Sequence, residues 1–264
     1  MTSALTKLSI NLNAVAYLRN RRDVPWPDLL EVARTVLDAG AHGITVHPRP
    51  DQRHIRFSDI GDLSELIATD YPEAEFNIEG YPTEHFVDLV LSSKAHQVTL
   101  VPDSPTQSTS DHGWDFKEHG VILTDLCGYF GGNGLRVALF VDANSNDPVS
   151  AWECGADRIE LYTGPYGGQF SQESVQKELD RLVTAADAAR KTGHNSLEQR
   201  PALQINAGHD LTMDNLPALL AAIPDLAEVS IGHGIMADAL MVGFPQAIRK
   251  YLAVLGYERA VPTY

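Results

Sequence analysis

At 264 residues and 44% hydrophobic content the chain can bury a sizeable core, which excludes a disordered protein and leaves one large α/β domain or two small ones. A formal net charge of −15 excludes a general nucleic-acid binder, which needs a basic face. The first residues are polar and lack a signal-peptide pattern, and no stretch approaches the roughly 20 apolar residues of a membrane span. Cys127 and Cys154 give neither a disulfide framework nor zinc-ligand spacing, so a soluble, cytoplasmic protein is expected.

Leu8-Ser9-Ile10-Asn11-Leu12-Asn13 alternates apolar and polar residues, the pattern of a strand with Asn11 and Asn13 on one face. A polar loop over 18–23 holds Arg19, Arg21 and Arg22. Pro27-Asp28 opens a helical pattern through Leu37 that Gly40 caps. Ile44-Thr45-Val46 is β-branched and apolar, a short buried strand that Pro48 and Pro50 stop. Over His47-Pro48-Arg49-Pro50-Asp51-Gln52-Arg53-His54 it opens into two histidines, two arginines and an aspartate, as α/β enzymes present a site.

The alternation of strand and helix then continues. A helix from Ser58-Asp59 leads to a strand over 74–79 that ends in Glu79. A helix over 82–93 leads to a strand over 96–101. The polar loop from Asp103 to Asp115 carries Ser104, Thr106, Ser108, Thr109 and Ser110, and its length predicts a lid over the site. Helix 116–130, strand 136–141, short helix 148–154 and strand 158–162 follow. A glycine-rich loop over 163–168 precedes a long helix over 172–191 and a surface insertion over 192–201. The seventh strand, 203–206, runs into Ala207-Gly208-His209-Asp210; after a helix over 213–222, the eighth, 228–231, runs into Gly232-His233-Gly234. A last helix covers 237–255.

Eight strand-then-helix units without a break in composition predict a (β/α)8 TIM barrel, a single domain over 1–264, with an open doubly wound sheet as the alternative. In a barrel the strand ends converge on one face. Here that face would hold Asn11, Asn13, His47, Arg49, Glu79, Thr109, Glu160, Tyr162, His209, Gly232 and His233. Histidines with a glutamate in a dry mouth suit repeated proton transfer. Gly208-His209 and Gly232-His233 follow the strands after which barrels commonly hold a phosphate on backbone N–H groups. Arginines in so acidic a chain also point to anionic small molecules. His42 and His96, at strand starts, are expected to be structural, as are His85, His119 and His194. No His-x-His or His-Glu-x-x-His spacing occurs, and arginines beside His47 repel a cation, so proton transfer is favoured over a metal site.

The segments Gly-Ile-Thr-Val-His-Pro-Arg-Pro-Asp-Gln-Arg-His-Ile (43–55), Phe-Asn-Ile-Glu (76–79), Gln-Val-Thr-Leu-Val-Pro (97–102), Asn-Ala-Gly-His (206–209) and Ile-Gly-His (231–233) are joined by Asn11, Leu-Arg-Asn at 18–20 and Arg22. In this order and spacing the chain resembles the pyridoxine 5′-phosphate synthase family over nearly its whole length. The resemblance implies a (β/α)8 barrel, a homo-octamer, and no metal or organic cofactor. It implies condensation of 1-deoxy-D-xylulose 5-phosphate with 3-amino-2-oxopropyl phosphate to pyridoxine 5′-phosphate, phosphate and water. By position it makes His47 a catalytic base, Glu79 a second acid/base and His209 a proton donor. Asn11 and Arg22 would contact the aminoketone phosphate. Arg49, His54 and Thr109 would contact the pentulose phosphate, with Gly232 and His233 as its cradle. Asn13-Ala14 stands where many members carry Asp-His, and Asp210 where many carry Gly; Asn13 and Asp210 are kept as substrate-side positions. A paralogue using another aminoketone or ketose phosphate, and a non-catalytic phosphate-ligand sensor, stay open as alternatives.

Overall fold

Eight parallel strands form where the sequence predicts them: β1 (Lys7–Asn11), β2 (Gly43–Val46), β3 (Glu75–Gly80), β4 (Gln97–Leu100), β5 (Arg136–Val141), β6 (Arg158–Tyr162), β7 (Gln204–Gly208) and β8 (Glu228–Ile231). They pair in sequence order, and β8 returns to β1 from Lys7↔Glu228 to Ile10↔Ile231, which closes the barrel and excludes the open sheet. The structure, a computed structural model, describes residues 5–103, 107, 109–193 and 200–257.

The helices are α1 (Asn13–Arg19), α2 (Leu29–Asp38), α3 (Phe57–Asp70), α4 (Glu84–Ser92), α5 (Phe116–Gly132), α6 (Asp147–Glu153), α7 (Gly164–Gly167), α8 (Gln172–Lys191), α9 (Leu216–Ala222), α10 (His233–Val242) and α11 (Phe244–Val254). Several begin where a side chain satisfies otherwise orphaned N–H groups. Asp28 accepts from Leu30 and Glu31, Thr83 from Phe86, and Asp115 from Lys117 and Glu118. Their apolar faces pack on the outward strand residues, including Ile44, Phe76, Val98, Leu139, Ile159 and Val229, all fully buried. Each such side chain contributes about 1.5–3 kcal/mol on burial, so the main core is the annulus between strands and helices.

The inward set is polar, unlike the branched apolar layers that usually fill such barrels. The register places Asn11 beside Thr45, Thr45 beside Asn77, Glu79 beside Thr99 and Glu160 beside Asn206. Ser9 and Thr45 share a hydroxyl hydrogen bond of 2.7 Å, and the Thr99 hydroxyl donates to Asn77 Oδ1 at 3.0 Å. At the amino end, Glu75 accepts from Arg136 at 2.7 Å and Arg158 at 3.2 Å, and Arg158 also donates to Gln97. Because a buried charge is costly unless paired, these partners let the ion cluster plug that end.

His42 and His96 have the structural role expected: their Nδ1 atoms accept the backbone N–H groups of Leu8 and Phe76, locking neighbouring strands together. Other expectations are corrected. Asn13 is not on the strand but opens α1, a helix the alternating pattern concealed. The glycine-rich 163–168 stretch contains the short helix α7. The last predicted helix is two, α10 and α11, parted at Gly243, whose φ of +80° lies in the left-handed region. Ser104, Thr106 and Ser108 of the predicted lid, and His194 with the rest of 194–199 in the insertion, lie outside the described residues.

Candidate active site

One cavity of about 500 Å3 opens at the carboxyl ends of the strands. Its wall brings together Asn11, Asn13, His47, Arg49, His54, Glu79, Thr109, His209, Asp210, Gly232 and His233, from elements far apart in sequence. Arg22 is not brought in: it is exposed, beyond the end of α1.

Two asparagines tie the wall together. Asn11 Nδ2 donates to Glu79 Oε2 at 3.3 Å, while Asn11 Oδ1 accepts the backbone N–H of Asn13 at 3.0 Å. Asn13 Oδ1 in turn accepts the backbone N–H of His47 at 2.9 Å. The ends of β1, β2 and β3 are therefore held in one chain of hydrogen bonds running from Glu79 to His47.

On the other side of His47, the buried Arg49 guanidinium pairs with Asp103 and donates to the Gln107 carbonyl. Asp103 Oδ2 also accepts from the Ser110 hydroxyl at 2.7 Å and stands 3.8 Å from His47 Nε2. Sequence reading did not single out Asp103; its one signal is a carboxylate directly after Val101-Pro102 at a strand end. Burial, then the charges of Arg49, His54, His209 and Arg53, hold His47 well below the usual histidine range. His54 falls to about 4, through burial and then Arg49 and Arg53. Its Nδ1 accepts the N–H of Ile55 at 2.9 Å, which leaves the proton of the neutral ring on Nε2.

The carboxyl side of the site is shifted the other way. Glu79 is raised well above the usual carboxylate range by burial, then by Glu160, Asp103 and Glu228, with Asn11 opposing. Glu160 lines the same cavity and burial raises it to about 7. Gly208 leaves room for its carboxylate beside β7: an added Cβ would stand 2.3 Å from Glu160 Oε1 and displace it. Carboxyls raised above their usual range, facing histidines held below theirs, can pass protons in both directions.

His209 and Asp210 follow β7 with φ of +85° and +54°, a region that costs a non-glycine residue on the order of 1–3 kcal/mol and persists where the surroundings impose it. Here the Thr163 hydroxyl lies 2.6 Å from the carbonyls of both Gly208 and His209, and Asn215 Nδ2 donates to the Asp210 carbonyl at 2.9 Å. His209 lines the cavity, while its Nδ1 is buried without a well-formed hydrogen bond. Burial lowers its pKa, and Asp210 opposes that shift. After β8, Gly232 is the N-cap of α10 and no side chain caps it, so first-turn N–H groups meet the cavity at an end that favours anions.

Among the described residues, no group of three or more His, Cys, Asp or Glu side chains is arranged to hold a metal ion, and no helix is long and apolar enough to cross a membrane. Cys127 and Cys154 are buried and free; burial pushes the Cys127 thiol up to about 12, far from a reactive thiolate.

Comparison with known proteins places the site in a family. A solved structure from Aquifex aeolicus matches with a TM-score of 0.60 at 12% identity, covering 96% of this chain and 94% of that one. Phosphoribosyl anthranilate isomerase from Thermus thermophilus matches with a TM-score of 0.58 at 13% identity, covering 95% and 98%. At such identities the likeness is of fold alone. A pyridoxine 5′-phosphate synthase of Brucella abortus is 56% identical over 250 residues, 94% of this chain and 98% of the relative, and that of Brucella anthropi is equally similar. The profile of the family described as pyridoxal phosphate biosynthesis protein PdxJ matches residues 8–257. This chain, with its histidines and carboxyls gathered at the mouth of a polar-cored barrel, belongs to the PdxJ family.

Proposed function

We infer that the protein is a pyridoxine 5′-phosphate synthase, joining 1-deoxy-D-xylulose 5-phosphate to 3-amino-2-oxopropyl phosphate with release of phosphate and water. The observation that carries the reading is one cavity uniting His47, Glu79 and His209 with the N-terminus of α10, in a chain 56% identical to named synthases.

Imine formation, loss of phosphate, dehydration and ring closure each move protons between carbon, nitrogen and oxygen. His47, held neutral by burial and neighbouring cations, is the base that takes a proton from substrate carbon or nitrogen. Glu79, pushed well above the usual carboxylate range by burial, gives a proton to a departing hydroxyl, and Glu160, raised to about 7, shares that load. His209, held below the usual histidine range by burial, gives a proton to the substrate after first taking one up in an earlier step of the sequence. Arg49, His54 and Thr109 hold the pentulose phosphate, with Gly232 and His233 cradling its phosphoryl oxygens at the helix end. Asn11 orients the aminoketone while steadying Glu79.

We place the enzyme in the cytoplasm as one domain over 1–264 that assembles into a homo-octamer. Arg22 lies outside its own cavity, and exposed Leu240 and Met241 on α10, with exposed Tyr17 and Leu18 on α1, a helix in contact with α10, offer apolar surface suited to a second copy. Analytical ultracentrifugation tests this: a monomer at micromolar concentration would count against it.

A synthase for another ketose or aminoketone phosphate is the second reading, favoured by Ala14 and Asp210 in the cavity wall. Incubation of the purified protein with both named substrates, followed by the appearance of the pyridoxine chromophore, decides between the two. A sensor would bind without turnover.

A further inference from the structure

Tyr162, the last residue of β6, is outside the cavity wall, yet its ring meets the His209 imidazole edge-to-face, with centroids 5.3 Å apart and planes at 83°. Phe140, fully buried on β5, completes a triangle, 5.2 Å from His209 and 5.5 Å from Tyr162. The backbone of His209 is anchored from the Thr163 side, while its ring makes no well-formed hydrogen bond at Nδ1 and has only a weaker polar contact with the Gly208 backbone. Ring contacts therefore supply most of the orientation that a hydrogen bond to Nδ1 gives many histidines.

The chain also clears space for this arrangement. An added Cβ at Gly164 would come within 2.4 Å of both Cε2 and the hydroxyl of Tyr162, so only glycine leaves the phenol ring where it is. Among the described residues the Tyr162 hydroxyl makes no hydrogen bond, so the contact with His209 is made by the ring.

We propose that Tyr162 is a positioning residue for the reaction: its ring, seated on Phe140 and admitted by Gly164, sets the plane of the His209 imidazole. This rests on the reading of His209 as a proton-transfer group. Without the tyrosine ring the imidazole turns about its Cβ–Cγ bond, and its nitrogen leaves the short reach that proton transfer requires. Substrate phosphates, held elsewhere, bind as before.

Three variants test it. Tyr162→Phe keeps the ring and is expected to retain kcat and both KM values within about twofold. Tyr162→Leu is expected to lose kcat about ten- to a hundredfold with KM for each substrate within about threefold. Gly164→Ala, which presses on the same ring, should reproduce that loss, and adding it to Tyr162→Leu should cost little more. The imidazole 15N signals of His209, assigned by their absence in His209→Asn, should match wild type in Tyr162→Phe and shift or broaden in Tyr162→Leu. Native kcat in Tyr162→Leu, or unchanged His209 signals there, would overturn the proposal. If Tyr162→Leu does not fold, Gly164→Ala decides by the same two readouts. Full activity in His209→Asn would instead withdraw the proton-transfer reading, and the ring signals in Tyr162→Leu would still judge the placement.

Discussion

Asn13 holds His47 by its backbone: the Asn13 side-chain oxygen accepts the His47 N–H at 2.9 Å, at the point where β2 gives way to the site. The bond needs an oxygen acceptor and no charge. Asn13→Asp should therefore keep kcat/KM within about threefold, since a carboxylate accepts the same bond. Asn13→Ala strands a buried N–H, which costs about 1–3 kcal/mol, and should lower kcat about tenfold. Steady-state kinetics with thermal melts check both; an Asn13→Ala enzyme as active and stable as wild type would mean that the bond positions nothing.

His47→Asn and Glu79→Gln should each reduce turnover about a thousandfold or more while circular dichroism and melting stay near native. Both side chains sit at strand ends and contribute little to the apolar annulus. Near-native turnover in either variant would remove that residue from the chemistry.

The shifted carboxyls set the pH dependence. Glu160 is raised to about 7 by burial, and Glu79 is raised by burial and then by the charge of Glu160. Glu160 holds a proton for donation on the acid side of about 7 and loses it on the alkaline side, while burial holds the His47 pKa well below the usual histidine range. kcat should hold level up to about pH 6 and fall as pH rises through about 7. Glu160→Gln should move or abolish that alkaline limb. A profile that still climbs through pH 8 in the wild-type enzyme would contradict the assignment.

Glu228, inside the barrel, makes stability pH-dependent in the same direction. Burial and then Glu75 raise it to about 8, with Arg158 opposing. In an unfolded chain a glutamate titrates near ~4.3, so between these values the folded protein holds a proton that the unfolded chain has released. Stability is full on the acid side of this window and declines as pH rises through 8. Wild-type Tm should fall by several degrees across the window, and Glu228→Gln should flatten the decline. Parallel Tm curves for the two proteins would exclude a raised Glu228.

The barrel was legible because its strands are short β-branched runs, each followed by a helix of different period, and β5, β6 and β8 fall at the residues read from the pattern. Local pattern failed where a boundary depends on distant contacts. α1 was hidden because Asn11-Leu12-Asn13 continues the strand's alternation, while Asn13 is turned inward by its bond to the His47 backbone. α10 and α11 share one apolar run, and only the positive φ of Gly243 parts them. His47, Glu79 and His209 announced themselves as titratable groups at strand ends. Asp103 did not, because its meaning comes from Arg49, fifty-four positions away, and Ser110. Arg22 is the opposite case, a residue carried by resemblance that this chain leaves outside its own cavity.

The measurement that tests the central claim most directly is a single incubation of purified, exhaustively chelated protein with 1-deoxy-D-xylulose 5-phosphate and 3-amino-2-oxopropyl phosphate. Acid/base catalysis by His47, Glu79 and His209 predicts that pyridoxine 5′-phosphate and inorganic phosphate appear together in equal amounts, at the rate seen before chelation. No pyridine product, phosphate released without ring formation, or activity restored only by a divalent ion would contradict the account.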